Sequence, residues 1–271
     1  MTPTFRRRRL ARRLRQMREQ AGLTLAEAAL RLDKTRSSLG RIETGQSRAD
    51  VHLARSMMDF YDVYDPELLD LVREANRPGW WTKYNVDDRG YISTETEAST
   101  VYEFSLIQIP GLLQTEAYMR ALFTAHRLPG HQVENEVMAR LMRQGRLEDE
   151  DFPLELTAII DEAALRKLVG GAEVMRDQLR HLVECAELPT VSIQVLSDAA
   201  GAHTGTSGAY IVLNFPDGDP ALLYVAHVTG ALHIEKPEEL DQARLMFDQL
   251  RSEALSPTES VALIERLADD L

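Results

Sequence analysis

The chain has 271 residues, and its 31 basic and 43 acidic side chains give a net charge of −12. This length predicts about two domains, and a composition of 44% apolar and 27% charged residues excludes a disordered or collagen-like chain. No segment reaches the run of about 18 apolar residues that a membrane-spanning helix requires. We expect no secretory signal, and the single cysteine, Cys185, excludes an internal disulfide. A cytoplasmic location is therefore expected.

Charge is distributed unevenly along the chain. Residues 1–55 contain 14 basic and 5 acidic side chains and carry a net charge of +9, whereas residues 56–271 contain 17 and 38 and carry −21. A basic segment attached to an acidic body predicts a polyanionic partner at one end only. We expect double-stranded DNA as that partner, and we expect no membrane partner.

Residues 1–76 are predicted to form an all-α helix-turn-helix domain. Apolar residues at helical spacing predict a first helix that ends at Gly22. Its buried face consists of Leu10, Leu14, Met17 and Ala21. Thr24 and Glu27 have capping-box spacing and open a second helix. Arg6–Arg9 precede the first helix, and they are interpreted either as a flexible arm that touches phosphate or as a disordered tail.

A third helix is predicted from Arg36 to Glu43, with Thr35 as its cap. Its only large apolar residues are Leu39 and Ile42. A helix with so narrow an apolar face is held by its neighbours and presents the rest of its surface outward. Glu43 is expected to hold a neighbouring arginine or a backbone amide rather than to read bases.

Two further helices complete the predicted N-terminal domain. Asp50 is predicted to cap the fourth, with Leu53, Met57 and Phe60 facing inward. Asp65 followed by Pro66 is typical of a helix start and predicts the fifth.

The outward side chains of the third helix indicate a nucleic-acid interface. Arginine donates two hydrogen bonds to guanine in the major groove, and serine bonds to bases or phosphates. The second helix of a helix-turn-helix motif enters this groove. The outward side chains of the predicted third helix, which fit this role, are Arg36, Ser37, Ser38 and Arg41.

The segment LRQMREQAGLTLAEAALRLDKTRSSLGRIETG resembles the phage-repressor-type (XRE) helix-turn-helix family. The resemblance implies base contacts from Arg36, Ser37 and Arg41. It implies phosphate contacts from the turn after the third helix, at Thr44, Gln46, Ser47 and Arg48. The predicted phosphate contacts also include Thr24, Thr35, Ser38, Arg12 and Arg15. The arginine cluster from Arg6 to Arg18 is likewise expected to hold phosphates. Leu25 occupies a position that is often Gln in the family, and Asp33 occupies one that is often Gly.

Residues 77–102 are predicted to be a junction, because turn-forming residues interrupt the helical pattern. Both tryptophans of the chain, Trp80 and Trp81, lie in this segment. They are interpreted as aromatic residues of a domain seam, and the alternative is a stacking platform for a ligand or a base.

Residues 103–271 are predicted to form a mixed α/β domain. Alternating apolar residues predict strands at 154–160, 191–195, 210–215, 221–226 and 231–234. Helical spacing predicts helices over 133–146, 175–186 and 240–254. A further helix is predicted to be capped by Thr115, with Ala117, Leu122 and Ala125 in its core. The last predicted helix begins at Ser256. The segment 97–109 fits a helix or a strand. The stripe within 240–254 fits either the core or a dimer interface.

This C-terminal part resembles the long C-terminal domain of antitoxin-like regulators common in actinobacteria. The resemblance lies in IPGLLQTEAYMRAL, DEAALRKLVGGAEVMRDQLRHL, VSIQVLSDAAGAHTGTSGAYIVLNF and EALSPTESVALI. It implies a transcription regulator that is commonly encoded beside a small partner protein. Residues 224–227 depart from the family, which tends to place an acidic residue there.

An enzyme is a remote alternative, and it depends on the glycine-rich loop 201–208. A hydrolase triad of Ser207, His203 and Asp161 is conceivable, but the loop lacks the Gly-x-Ser-x-Gly pattern of a nucleophile elbow. The loop is therefore expected to be a turn-rich connection. We predict no catalytic residue, no cofactor and no metal site, and we expect Cys185 to be a small buried or half-buried residue without a basic neighbour.

The sequence as a whole predicts a sequence-specific DNA-binding regulator with an all-α N-terminal domain and a mixed α/β C-terminal domain. We expect a homodimer built through the C-terminal domain, because single helix-turn-helix units generally bind DNA in pairs. The alternative is a ligand-sensing or protein-partner module whose C-terminal domain is the main functional centre.

Overall fold

The computed structural model describes residues 3–86, 90–216 and 218–271. The chain divides into two compact units. The described part of the N-terminal unit comprises residues 3–82 and 90–97, and that of the C-terminal unit comprises residues 83–86, 98–216 and 218–271. Residues 87–89, a part of the predicted junction 77–102, lie outside the described residues.

The N-terminal unit is all-α, as predicted. Its helices are α1 (Phe5–Gln20), α2 (Leu25–Arg31), α3 (Arg36–Glu43), α4 (Val51–Tyr61), α5 (Leu68–Asn76) and α6 (Tyr91–Glu95). Leu14, Leu39, Met57 and Leu68 are fully buried and belong to one core that joins α1 to α5. This core fixes α3 from its inner side, which leaves the opposite flank of α3 exposed.

The starts of α2 and α3 follow from local chemistry, as predicted. Thr24 and Glu27 form a reciprocal capping box, in which each side chain bonds to the backbone amide of the other residue. The hydroxyl of Thr35 accepts a hydrogen bond from the amide of Ser38 at 3.1 Å. These bonds satisfy amides that the first turn of a helix leaves without a partner.

Three expectations for the N-terminal unit are wrong. Arg6–Arg9 lie within α1 and are neither an arm nor a tail. Phe60 is 49% exposed, and Tyr61 is buried in its place, because the inner face of α4 runs through Ala54 and Met57. Asp65 does not cap α5, which begins three residues later.

Trp80 and Trp81 lie in a short 3₁₀ helix, Trp80–Tyr84. Their rings meet edge to face at a centroid distance of 6.0 Å. The indole nitrogen of Trp80 donates a hydrogen bond to the hydroxyl of Thr96 at 3.2 Å. Both rings are half-buried. Their fluorescence is therefore expected to change when this region unfolds.

The C-terminal unit contains a mixed six-stranded sheet, which confirms the predicted α/β class. Its strands are β1 (Thr100–Ser105), β2 (Glu155–Asp161), β3 (Val191–Leu196), β4 (Tyr210–Asn214), β5 (Leu222–His227) and β6 (Gly230–Ile234). Their order is β3-β2-β1-β4-β5-β6. Strands β1, β2 and β3 are parallel, and β4, β5 and β6 are antiparallel to their neighbours.

The segment 97–109, which fitted either a helix or a strand, contains β1, a central strand of the sheet. Val101 is paired with Leu156 of β2 on one side and with Leu213 of β4 on the other. β1 begins at Thr100, so the C-terminal end of the predicted junction, residues 100–102, belongs to the sheet. Strands β2 and β4 pair with these residues on both sides.

Helices flank the sheet in the described part of the C-terminal unit. They are α7 (Glu116–Ala125), α8 (Gly130–Gln144), α9 (Glu162–Arg166), α10 (Ala172–Cys185), α11 (Pro237–Glu253) and α12 (Pro257–Asp269). Leu240, Phe247 and Leu250 of α11 are buried against the sheet, so these residues of the predicted stripe are core. No helix in the described residues has the length and apolar character needed to cross a membrane.

One predicted core face is wrong in part. Leu122 of α7 is buried, as predicted, but Ala117 and Ala125 are exposed, whereas Tyr118, Met119 and Phe123 are buried. The inner face of α7 is therefore rotated by about one residue from the face that the alanines suggested, because the larger side chains fill the core.

Candidate nucleic-acid interface

Helix α3 separates its side chains into a buried and an exposed side. Leu39 is fully buried and Ile42 is 5% exposed, while Arg36, Ser37 and Arg41 are all exposed. Ser37 and Arg41 are one turn apart and lie on the same flank. The structure therefore brings the three predicted base-contacting residues together on the surface of a short helix.

A buried ion pair ties α3 to α1. The Nε atom of Arg18 lies 2.8 Å from Oε1 of Glu43, and its Nη2 atom lies 2.9 Å from Oε2. The Nη1 atom donates a further bond to the carbonyl of Leu23 at 2.7 Å. The Arg18 side chain is 9% exposed and that of Glu43 is 4% exposed. Glu43 therefore holds an arginine, as predicted.

The same contact corrects the predicted phosphate cluster of residues 6–18. Arg18 is committed to Glu43 inside the domain, and the hydrogen bond to Glu43 raises the pKa of its guanidinium. A side chain buried in this way cannot reach a phosphate. Its role is to set the position of α3 relative to α1.

The turn between α2 and α3 uses a left-handed residue. Asp33 has φ of 51°, and the next amide, that of Lys34, donates to the carbonyl of Ala29 at 2.9 Å. Aspartate tolerates this conformation better than most residues with a Cβ atom. The turn therefore reaches the conformation for which glycine is usual.

The turn after α3 lies against the first turn of α1. Gly45 has φ of 73°, and a Cβ atom placed on it would lie 3.3 Å from the carbonyl oxygen of Arg7. The amide of Ser47 donates to the carbonyl of Arg41 at 3.0 Å. This packing holds the predicted phosphate-contacting residues at the surface. Thr44, Gln46 and Arg48 are exposed, and Ser47 is half-buried.

Two arginines, Arg7 and Arg48, lie near this turn, and the charge of one acts on the other. Burial and the nearby charge of Arg48 both lower the pKa of Arg7. Its Nε atom has no hydrogen-bond partner within the described part of the chain. Neither arginine has an ion pair with an acidic side chain among the residues that the structure describes, and two neighbouring cations favour an anion beside them. Sequence reasoning placed Arg7 only in a general arginine cluster, because nothing in the local pattern connects residues 7 and 48.

Other arginines of α1 have acidic partners. Arg6 pairs with Glu97, Arg13 with Asp65 and Arg15 with Glu19, each at 2.7 Å. Arg15, a predicted phosphate contact, therefore starts from an exposed ion pair, which is weak and easily exchanged. Arg12, the other predicted contact on α1, is half-buried.

The remaining predicted phosphate contacts lie at helix starts. Thr24 and Thr35 are exposed, and Ser38 is half-buried. Both threonine hydroxyls already accept a cap hydrogen bond. Their positions at the positive ends of α2 and α3 are compatible with anions.

The C-terminal unit has a cleft of about 210 Å³ at the carboxyl end of β1, beside β4. Its polar lining includes Glu103, Ser105, Gln114 and Arg140. Strands β2 and β3 lie on one side of β1 and β4 lies on the other, so the cleft marks a point where the strand order reverses. Open α/β sheets bind small molecules at such points.

The loop 201–208 connects β3 to β4 and contains a 3₁₀ turn, Thr204–Ser207. The Nε2 atom of His203 lies 3.4 Å from Oδ2 of Asp161, whereas Ser207 is exposed. A Cβ atom on Gly205 would lie 2.3 Å from the Phe104 ring. The loop therefore packs tightly over the sheet, and glycine is required where it touches Phe104.

Cys185 is buried, as predicted, but it does have a basic neighbour. The Nε2 atom of His181 lies 3.4 Å from its Sγ atom, because residues four apart share one face of α10. Burial and the charges of Glu184 and Glu148 nevertheless raise the pKa of the thiol to about 11. The thiol is therefore protonated at neutral pH.

The arrangement of α1 to α5 around an exposed α3 is that of a helix-turn-helix domain. Residues 9–72 match the family described as "Helix-turn-helix domain". Residues 88–266 match the family described as "Domain of unknown function (DUF5753)", and the chain belongs to this family. Comparisons with curated proteins and with solved structures give no match. The helix-turn-helix domain thus indicates a DNA-binding regulator.

Proposed function

We propose that the protein is a sequence-specific transcription regulator of the phage-repressor type that places α3 in the major groove of DNA. The exposed flank formed by Arg36, Ser37 and Arg41 carries this proposal. These side chains make base contacts, since arginine and serine match the hydrogen-bonding groups of the groove floor. The buried side of α3 is committed to the core and fixes the orientation of that flank.

Phosphate contacts hold the domain on the duplex. Arg7 and Arg48 supply the unneutralised charge beside the turn after α3, and Thr44, Gln46 and Ser47 add polar groups there. Contacts of this kind position the protein without reading sequence. Their contribution to affinity decreases steeply with salt.

Replacement of Arg36 or Arg41 by alanine tests the assignment of α3. Each change is expected to cost ~1–3 kcal/mol at one base pair and to relax the preference there. Arg73→Ala is the matched control, because Arg73 is an exposed arginine on α5 that pairs with Asp70. The measurement is binding to a library of genomic fragments with base-pair resolution. An unchanged sequence preference in both variants would refute the role of α3.

The proposed active form is an antitoxin-like homodimer assembled through the C-terminal domain. Two helix-turn-helix units bind half-sites about 34 Å apart along the DNA. The acidic C-terminal part is directed away from DNA by its charge and contacts a small partner protein encoded by a neighbouring gene. With DNA as its target, the protein acts in the cytoplasm.

The cleft beside β1 favours a second candidate function, the sensing of a small molecule. Glu103 is 8% exposed in this cleft, and the guanidinium of Arg140 stacks over the ring of Phe123 at 4.7 Å. The lining of the cleft thus includes both a carboxylate and a guanidinium, a combination that suits a small zwitterion. Thermal-shift measurements with the common amino acids are expected to show stabilisation that Glu103→Gln abolishes. Equal shifts in both proteins, or no shift with any amino acid, would exclude this candidate.

A further inference from the structure

Strand β6 leaves one edge of the sheet open to pairing. It is the last strand in the sheet order, so its outer side has no paired strand among the described residues. The opposite edge, β3, is covered: Leu255 donates its amide to the carbonyl of Val195, and the amide of Val195 donates to the hydroxyl of Ser260, each at 2.9 Å. Groups outside the sheet thus satisfy backbone hydrogen bonds at the β3 edge, whereas the β6 edge has no paired strand among the described residues.

The sequence of β6 lacks the features that protect exposed edges. Its residues are Gly-Ala-Leu-His-Ile, with no lysine, no acidic residue and no proline. Its register with β5 runs without a bulge from Leu223↔Ile234 to His227↔Gly230. Natural proteins protect their edges with charges, prolines and bulges. An unprotected edge of this kind is suited to pairing with another strand.

The geometry of the β5–β6 hairpin fixes which groups face outward. His227 and Gly230 close a two-residue loop, and the pair that closes such a loop is hydrogen-bonded across it. Hydrogen-bonding direction alternates along a strand, so the backbone groups of Ala231 and His233 face away from β5. Apolar side chains surround this edge, since Leu232 is 51% exposed and Val228 at the hairpin tip is 98% exposed.

We propose that β6 of a second copy of the chain pairs antiparallel with this edge, with Leu232 on the two-fold axis. In this register Leu232 lies opposite itself, and Ala231 of each copy lies opposite His233 of the other. If pairing extends further, Glu235 lies opposite Thr229 rather than opposite another carboxylate. The edge is thus self-complementary, as a two-fold interface requires. This inference rests on the proposed function and specifies the surface of its homodimer.

Substitutions at Leu232 test the register directly, in the full chain. Leu232→Asp places two carboxylates against each other at the axis and is expected to weaken dimerisation at least tenfold, measured by analytical ultracentrifugation. Leu168→Asp is the matched control, because Leu168 is a similarly exposed leucine, at 55%, that follows α9 rather than β6. Circular dichroism checks that each variant is folded.

A charge pair gives a second, independent test. Leu232→Lys and Leu232→Glu are each expected to be monomeric alone, and an equimolar mixture is expected to form a heterodimer, because the two side chains face each other only in this register. A dimer that withstands every change at Leu232 would overturn the inference and leave the proposed homodimer intact. A wild-type chain that stays monomeric at micromolar concentration, with and without DNA, would overturn both.

Discussion

Arg18 and Glu43 connect α1 to α3 through three hydrogen bonds of 2.8, 2.9 and 3.1 Å. Both side chains are almost completely buried. The contact lies beneath α3, away from the exposed residues that are proposed to contact DNA. The position of the proposed DNA-reading surface therefore depends on a buried charge pair.

Breaking this pair is expected to destabilise the N-terminal domain strongly. Glu43→Leu or Arg18→Met alone leaves one buried charge without its partner, which costs ~3–5 kcal/mol in comparable cases. The double variant, which combines Arg18→Met with Glu43→Leu, is expected to recover much of this loss, because no buried charge remains. Urea unfolding followed by tryptophan fluorescence measures it, since both tryptophans lie in this unit. Losses that simply add in the double variant would contradict the coupling.

The two like charges at Arg7 and Arg48 predict opposite effects on stability and on binding. Alanine at either position removes repulsion, so the free energy of unfolding is expected to stay constant or to increase. DNA affinity is expected to decrease for every sequence alike, and the slope of log K against log salt is expected to decrease by about 0.9 for each phosphate that is no longer neutralised. Fluorescence anisotropy over a range of KCl concentrations measures the slope. Arg73→Ala should leave the slope unchanged, and an unchanged slope in Arg7→Ala and Arg48→Ala would dismiss the phosphate site.

The left-handed backbone at Asp33 predicts a ranking of substitutions. Asp33→Gly is expected to be neutral or slightly stabilising, because glycine adopts φ of 51° without strain. Asp33→Ala is expected to cost ~1 kcal/mol, since alanine adopts the left-handed conformation less readily than aspartate or glycine. Urea unfolding gives both values. Equal stability of the two variants would show that the turn relaxes to another conformation.

Tyr61 predicts a loss of stability at alkaline pH. Burial, together with the charge of Glu43, raises its pKa to about 12, and its hydroxyl has no hydrogen-bond partner among the described residues. Between pH 10 and 12 the unfolded chain loses this proton while the folded chain retains it, so the free energy of unfolding decreases, by about 2–3 kcal/mol at most. Tyr61→Phe is expected to reduce this decrease. Parallel stability curves for both proteins from about pH 9 to 12 would contradict the assignment.

The buried thiol of Cys185 predicts low reactivity. A pKa of about 11 leaves almost no thiolate at neutral pH, and the thiolate is the reactive form. Alkylation by iodoacetamide is expected to be at least tenfold slower in the native protein than in urea, as measured by mass spectrometry. Native labelling at the rate of a free thiol would show that α10 opens locally.

The sequence predicts the elements whose causes lie within one or two turns of chain. The capping box of Thr24 and Glu27, the cap at Thr35 and the narrow apolar face of α3 are local patterns, and the structure contains each of them. Predictions that needed the exact inner face of a helix were less accurate. Phe60 is exposed because the inner face of α4 runs through Ala54, Met57 and Tyr61. Ala117 is exposed because larger side chains of α7 fill the core.

By itself the sequence determined the class of both domains, the exposed flank of α3 and the role of Glu43, because periodicity, capping and charge act over short stretches of chain. Only the tertiary structure decided which arginines are available. Arg18 lies 25 residues from its partner Glu43, and Arg6 lies 91 residues from Glu97. The proximity of Arg7 to Arg48 and the unpaired edge of β6 were likewise decided by the tertiary structure. These relationships arise when distant segments pack together, and no local pattern encodes which distant partner a side chain will meet.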